Sequence, residues 1–217
     1  MTANRSRAIA VLVAVTSLAW CTDPHQRAPA HESATFIAPD HTFRFSYPTG
    51  FQVCTKGNIQ PCVTSMIPAC DPDALVCAVY SVKQFGETNL NAAAFQVREI
   101  FASGEQMTAD ICATPYPRDH GSPQQYPDFL ISAKNPVEVI GGVQFIHGAR
   151  DGVATGSSID TELYRAFHNQ RCFELSVSQT GTNPNLSDPA TKTLTLAQQK
   201  TLQLTLSHIL HSFQFTR

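Results

Sequence analysis

The chain has 217 residues, 42% of them hydrophobic and 15% charged. Two Arg and no acid fall in the first 20 residues, so the remainder carries 13 basic residues against 17 acidic ones, a net of −4. That balance excludes an ordinary nucleic-acid binder, which shows a basic excess or stripe, and the apolar content suffices for a true core in one domain of about 175 residues.

Arg5 and Arg7 precede an uncharged apolar run over residues 8–20, and Cys21 follows directly. A basic head, a short apolar segment and a small-residue exit mark an export signal, predicted over 1–21. The run is shorter than the roughly 20 residues that a membrane-spanning helix needs. Leu18-Ala19-Trp20-Cys21 resembles a bacterial lipoprotein signal with Cys21 as the lipid attachment residue, although Trp20 stands where a small residue is usual. Ordinary cleavage after Ser17-Leu18-Ala19, leaving Trp20 at the new terminus, is the alternative. Residues 22–40, with Pro24, Pro29 and Pro39 and polar clusters, are predicted to be a flexible tether. Membrane association is then expected only through the N-terminal anchor, and the location is extracytoplasmic: periplasm, cell envelope or secreted.

One domain is expected over 41–217. Phe43, Phe45 and Tyr47 alternate with polar residues, which predicts a half-buried strand. The turn at Pro48-Thr49-Gly50 leads to a second strand over 51–54, expected to pair antiparallel with the first. A third strand is predicted over 75–82. Asn91, followed by Ala92, Ala93 and Ala94, predicts a capped helix over 91–102 with Phe95, Ile100 and Phe101 on its buried side. Four prolines make 113–128 a loop. Short strands are predicted over 129–132 and 136–140, and Gly141-Gly142 reverses the chain into another strand over 143–150. Strands over 161–168 and 171–179 join at Asn169-Gln170. A Gly/Asn/Pro-rich loop leads to a last helix, with Thr195 and Gln198 as a capping box and Leu202, Leu206, Ile209, Leu210 and Phe213 at helical spacing. Phe213-Gln214-Phe215 ends the chain as a short strand. The expected class is α+β: an antiparallel β-sheet flanked by helices.

Of seven cysteines, six lie in the domain: Cys54, Cys62, Cys70, Cys77, Cys112 and Cys172. An even number in an exported chain reads as three disulfides, with fifteen possible connectivities. Local pairing Cys54–Cys62 and Cys70–Cys77, with Cys112–Cys172 as the long bridge, is the expectation. Zinc is the competing reading, but its ligands come in closer pairs than these.

Three segments together resemble the PsbP-like family: the opening from Phe43 to Phe51, the central Gly141-Gly142-Val143-Gln144-Phe145 with its hairpin, and the ending from Leu206 to Phe213. The resemblance implies an α/β/α sandwich around an antiparallel sheet, in extracytoplasmic and often lipid-anchored proteins that act as binding or assembly modules. It carries over no functional residue, because no family site motif is matched, and the six cysteines depart from the family pattern.

The candidate site residues are few. Tyr164, His168 and Arg171 cluster at a hairpin end and could bind a ligand, Arg171 through an anion; the alternative is the polar face of a strand pair. Asp119-His120 lies in the proline-rich loop. His208 and His211 share a helix without a third ligand, and His147 reads as a hydrogen-bonded strand residue. Serine-hydrolase, metalloprotease and phosphate-loop motifs are missing, so no catalytic residue, metal or cofactor is assigned. Two functions compete: a non-catalytic module for a small ligand or envelope protein, and an extracytoplasmic hydrolase or thiol enzyme using His and Cys residues of the 112–128 loop and the 161–178 hairpin.

Overall fold

The computed structural model describes residues 32–62, 69–80, 88–101, 106–113, 130–131, 136–154, 156–183 and 192–216. The predicted signal with Cys21, most of the predicted tether, and Asp119 and His120 lie outside these residues.

In chain order the strands are β1 (Ser33–Ile37), β2 (Phe43–Pro48), β3 (Phe51–Thr55), β4 (Val76–Tyr80) and β5 (Leu90–Ile100). The five-residue helix α1 (Ala109–Ala113) follows, then β6 (Leu130–Ile131), β7 (Val137–Ile140), β8 (Val143–Ala154), β9 (Ser157–His168) and β10 (Arg171–Thr182). Helix α2 (Leu196–Ser212) and β11 (Gln214–Phe215) close the chain. Among the described residues these strands all pair antiparallel, and one isolated parallel bridge joins Thr88 to Lys192. A large sheet runs β3-β4-β5-β10-β9-β8-β6, with β7 also on β8, and a small sheet runs β1-β2-β11.

The front face of the large sheet carries Phe95, Val97, Tyr164, Phe173 and Leu175, and it shares a core with Phe43 and Phe45 of β2 and Leu202, Leu206 and Ile209 of α2. Phe45 meets the Phe95 ring at 4.9 Å, edge to face. The back face buries Cys54, Cys77, Val79, Ala92 and Ala94 against Cys62, Ile59 and Cys70. Further along this face, Cys172 and Ile100 pack with Cys112 of α1. Helical cover therefore differs between the faces: the 17-residue α2 in front, the short α1 behind. The antiparallel α+β class stands, while helical cover among the described residues is modest, with α2 the one long helix.

Three expectations need correction. Residues 91–102 are not a helix; β5 occupies Leu90–Ile100. Ala93 and Phe95 point into the front core, Ala92 and Ala94 into the cysteine cluster behind. A central strand buried on both faces, bonded to β4 on one edge and β10 on the other, outweighs helix propensities worth only tenths of a kcal/mol per residue. Phe101, expected on a buried side, is 56% exposed. Next, β2 and β3 do not pair: the turn between them carries the chain from the small sheet to the large one, so a short connection joins two layers. Finally, the last part of the predicted tether is β1, paired with β2 along its length, with Phe36 packed 5.3 Å from Phe45.

Three disulfides join Cys54–Cys62, Cys70–Cys77 and Cys112–Cys172, the pairing expected from the sequence. Cys54 and Cys77 are cross-strand neighbours, yet each bonds outward to a loop cysteine, tying two loops to the back of β3 and β4. Three bridges in one domain are the chemistry of an oxidising, extracytoplasmic compartment.

Candidate functional site: an acidic groove between the last helix and the sheet

Thr195 caps α2: its hydroxyl accepts from the Gln198 backbone N–H, and the Gln198 side chain accepts from the Thr195 N–H. Leu202, Leu206, Ile209 and Leu210 turn into the core. Gln199, Gln203, Ser207 and His211 then recur every four residues, which puts them on one edge of the helix. Two fasteners hold that edge above the sheet. At the helix start, the Asn89 side chain accepts from the Leu194 N–H at 3.0 Å, while its backbone bonds Lys192 and Thr182. At the helix end, the Ser212 hydroxyl accepts from the Ser46 N–H at 2.8 Å.

Between the α2 edge and the large sheet lies a cavity of about 590 Å³, within the range of small-molecule sites. The sheet supplies four carboxylates: Glu138 of β7, Asp151 of β8, and Asp160 and Glu162 of β9. The alternation of β9 places Asp160, Glu162 and Tyr164 on the same front face. Asp151 and Asp160 are direct cross-strand partners. Leu90, Val177, Leu194, Leu206 and Leu210 make the apolar part of the lining. None of the described lining residues is Lys or Arg.

Tyr164 sits within this groove and is only 6% exposed. Its ring stacks on His147 at 4.6 Å, nearly parallel. Its hydroxyl has no hydrogen-bond partner among the described residues. Burial, together with the negative charges of Glu138 and Glu162, pushes the phenol well above its ordinary value of 10.0, so it stays a neutral O–H. Two histidines brace the carboxylates: His147 bonds Glu162, and His211 Nε2 lies 2.8 Å from Glu138 Oε1.

The sequence-predicted cluster separates. Tyr164 lies in the groove, whereas His168, four residues further along β9, stacks on Phe215 at 4.0 Å. Arg171 grips Glu99 with two bonds of 2.9 and 2.6 Å, reaches Asp40 at 3.3 Å, and lies over the Phe173 ring. Its guanidinium is thus held by two carboxylates of the domain itself, which favours the structural reading of that pair. His208 is exposed on α2, while His211 faces the groove. Among the described residues, no three His, Cys, Asp or Glu side chains converge as a metal site.

Sequence reasoning missed the four carboxylates. Glu162 falls within the predicted strand over 161–168, but Asp160 lies just before it, Glu138 and Asp151 come from other strands, and only the register gathers them. A second feature it missed lies behind the sheet. Glu174 is 1% exposed and accepts from Arg98 at 2.6 Å and Arg165 at 2.7 Å, and Arg98 also bonds Asp71 at 2.9 Å. Burial alone would raise the Glu174 carboxyl; the two guanidiniums outweigh it and hold the group below its ordinary value.

No family profile and no curated protein sequence matches the chain. Solved structures with a similar arrangement include LpqN, involved in cell envelope biogenesis of Mycobacterium tuberculosis, at 10% identity and a TM-score of 0.44, covering 86% of this chain and 91% of that one. The cyanobacterial PsbP of Synechocystis sp. PCC 6803 aligns at 11% identity and 0.42, over 84% and 92%. A Bacteroides thetaiotaomicron protein aligns at 8% identity and 0.39, over 84% of this chain and 48% of that one.

Proposed function

We propose that this chain is an exported, non-catalytic binding module that holds a small ligand in the groove between α2 and the large sheet. The observation that carries the reading is Tyr164, a side chain only 6% exposed that lines a cavity of ligand size, its hydroxyl open to that cavity and without a partner among the described residues. A bound molecule can therefore meet this hydroxyl directly, as an acceptor or a donor. The rival enzyme reading needs a free thiol or a concave site lined by Asp119, His120 or His168, of which Asp119 and His120 lie outside the described residues. The six domain cysteines are paired, and His168 and Arg171 are engaged by Phe215, Glu99 and Asp40. Cys21 carries the anchor in this reading, and the disulfides agree with an extracytoplasmic location.

Two measurements test it. Thermal unfolding is followed with 1,4-diaminobutane, glucose and succinate, on the native chain and on Gln203→Trp, which fills the groove from an exposed helix position. Stabilisation by at least one compound, lost in the variant, supports the proposal; no stabilisation by any of them, or turnover of ester or peptide substrates that Gln203→Trp abolishes, defeats it. Intact mass of the mature N-terminus tests the anchor. A lipid-modified Cys21 is expected, and an unmodified terminus at Trp20 removes the anchor from the reading.

A further inference from the structure

We infer that the groove takes a linear polyamine, a chain of protonated amines joined by short methylene spacers. This deepens the binding-module reading and rests on it.

The charge pattern comes first. Four carboxylates face the groove and no described lining residue is Lys or Arg. Asp151 and Asp160 have no ion pair among the described residues, and Glu162 and Glu138 are met only by His147 and His211. Such a site attracts cations and repels anions.

The spacing then decides between kinds of cation. A metal ion needs ligands converging on one point, and no described group of three does so. The carboxylates are instead strung out. Asp160 and Glu162 are two residues apart on one strand face, about 7 Å along it, and Tyr164 lies the same step further. An alkyl spacer of three or four carbons sets two ammonium groups at a comparable distance. Glu138 stands on β7, two strands across from β9, close enough to Tyr164 for its charge to act on the phenol, and adds a carboxylate beside the end of the row. The row therefore fits successive charges on one extended molecule.

The chemistry of the remaining wall agrees. Gln199, Gln203 and Ser207 offer acceptor oxygens along the helix edge, and the Tyr164 oxygen is an acceptor as well as a donor. Leu90, Val177, Leu206 and Leu210 offer apolar surface to the methylenes between the charges. Ammonium groups meet acceptors at intervals, and hydrocarbon meets hydrocarbon between them.

The test is calorimetric titration of the disulfide-intact protein with spermidine, 1,4-diaminobutane, butylamine and magnesium chloride. Saturable binding is expected, tightest for spermidine and weakest for butylamine, with magnesium unable to compete at equal charge. Asp160→Asn and Glu162→Gln, both at exposed side chains, should each weaken spermidine about tenfold, the scale of one charged hydrogen bond. Tyr164→Phe, with its fold checked by circular dichroism, should weaken spermidine binding too. Three outcomes overturn the inference. Magnesium competing as well as spermidine, or variants binding like the native chain, would mean diffuse counter-ion attraction. Glucose or succinate stabilising the fold through the groove while spermidine does not would leave the binding module standing and remove the polyamine. No binding by any compound would remove both.

Discussion

Asp151 on β8 and Asp160 on β9 stand directly opposite one another on the same face of the sheet, with no described ion pair to either. Like charges in that position destabilise a strand pair. Asp160→Asn should therefore stabilise the unliganded domain by about 0.2–1 kcal/mol while weakening amine binding. Urea unfolding at low salt checks the first half, and the gain should shrink at high salt because the repulsion is screened. A loss of stability at low salt would mean the pair is already neutralised.

Glu174 should control acid stability. Its carboxyl is held below 4.5 by Arg98 and Arg165 against the opposing effect of burial. The unfolded state then takes up a proton at higher pH than the folded one. The stabilisation is fully present above the ordinary carboxylate range and is lost as the pH falls through the depressed folded value. Glu174→Gln leaves two guanidiniums without their buried counter-charge and should cost about 3–5 kcal/mol at neutral pH. Its unfolding free energy should also vary less with pH below 4.5 than that of the native chain.

The turn between β7 and β8 separates two glycines by their surroundings. Gly141 has φ +57° and Gly142 φ +82°, the left-handed region that a hairpin turn of this kind demands. A Cβ at Gly141 would also stand 2.4 Å from the Phe213 carbonyl oxygen, whereas one at Gly142 meets nothing within 4 Å. Gly142→Ala should cost about 1–2 kcal/mol, from backbone conformation alone. Gly141→Ala should cost about 1–3 kcal/mol more, because the end of α2 must move. Chemical denaturation of both variants tests the order.

Paired Cys→Ser substitutions should rank by loop length. Cys112–Cys172 closes 60 residues, and the other two bridges close 8 and 7. Loop-closure entropy predicts losses of about 4 kcal/mol for the long bridge and about 2.5 kcal/mol for each short one. Equal losses would show that local packing in the cysteine cluster, rather than chain entropy, sets their worth.

Asn89 fastens the start of α2, and Asn89→Ala should loosen the groove there without unfolding the domain. The side chain accepts from Leu194, and losing that bond costs about 0.5–1.5 kcal/mol. Hydrogen exchange should accelerate at Leu194 and in the first turn of α2, with β10 protected as before.

Local patterns were enough for much of this protein. The alternation of Phe43, Phe45 and Tyr47, the capping box at Thr195 and Gln198, the Leu and Ile spacing of α2 and the two local cysteine pairs Cys54–Cys62 and Cys70–Cys77 follow from forces acting over a few residues, which sequence exposes directly. The class of the central element did not follow. Ala92, Ala93 and Ala94 favour a helix in isolation, and only the two neighbouring strands and two buried faces make them a strand. The same holds for the groove. Asp160, Glu162 and Tyr164 share a face by local alternation, but Asp151 reaches them by strand register and Glu138 by a hairpin folded onto β8. His211 completes the wall from a helix fastened at both ends by Asn89 and Ser212. Short-range chemistry selects the pieces; the long-range pairing of backbone edges and the burial of shared faces decide which of their charges meet.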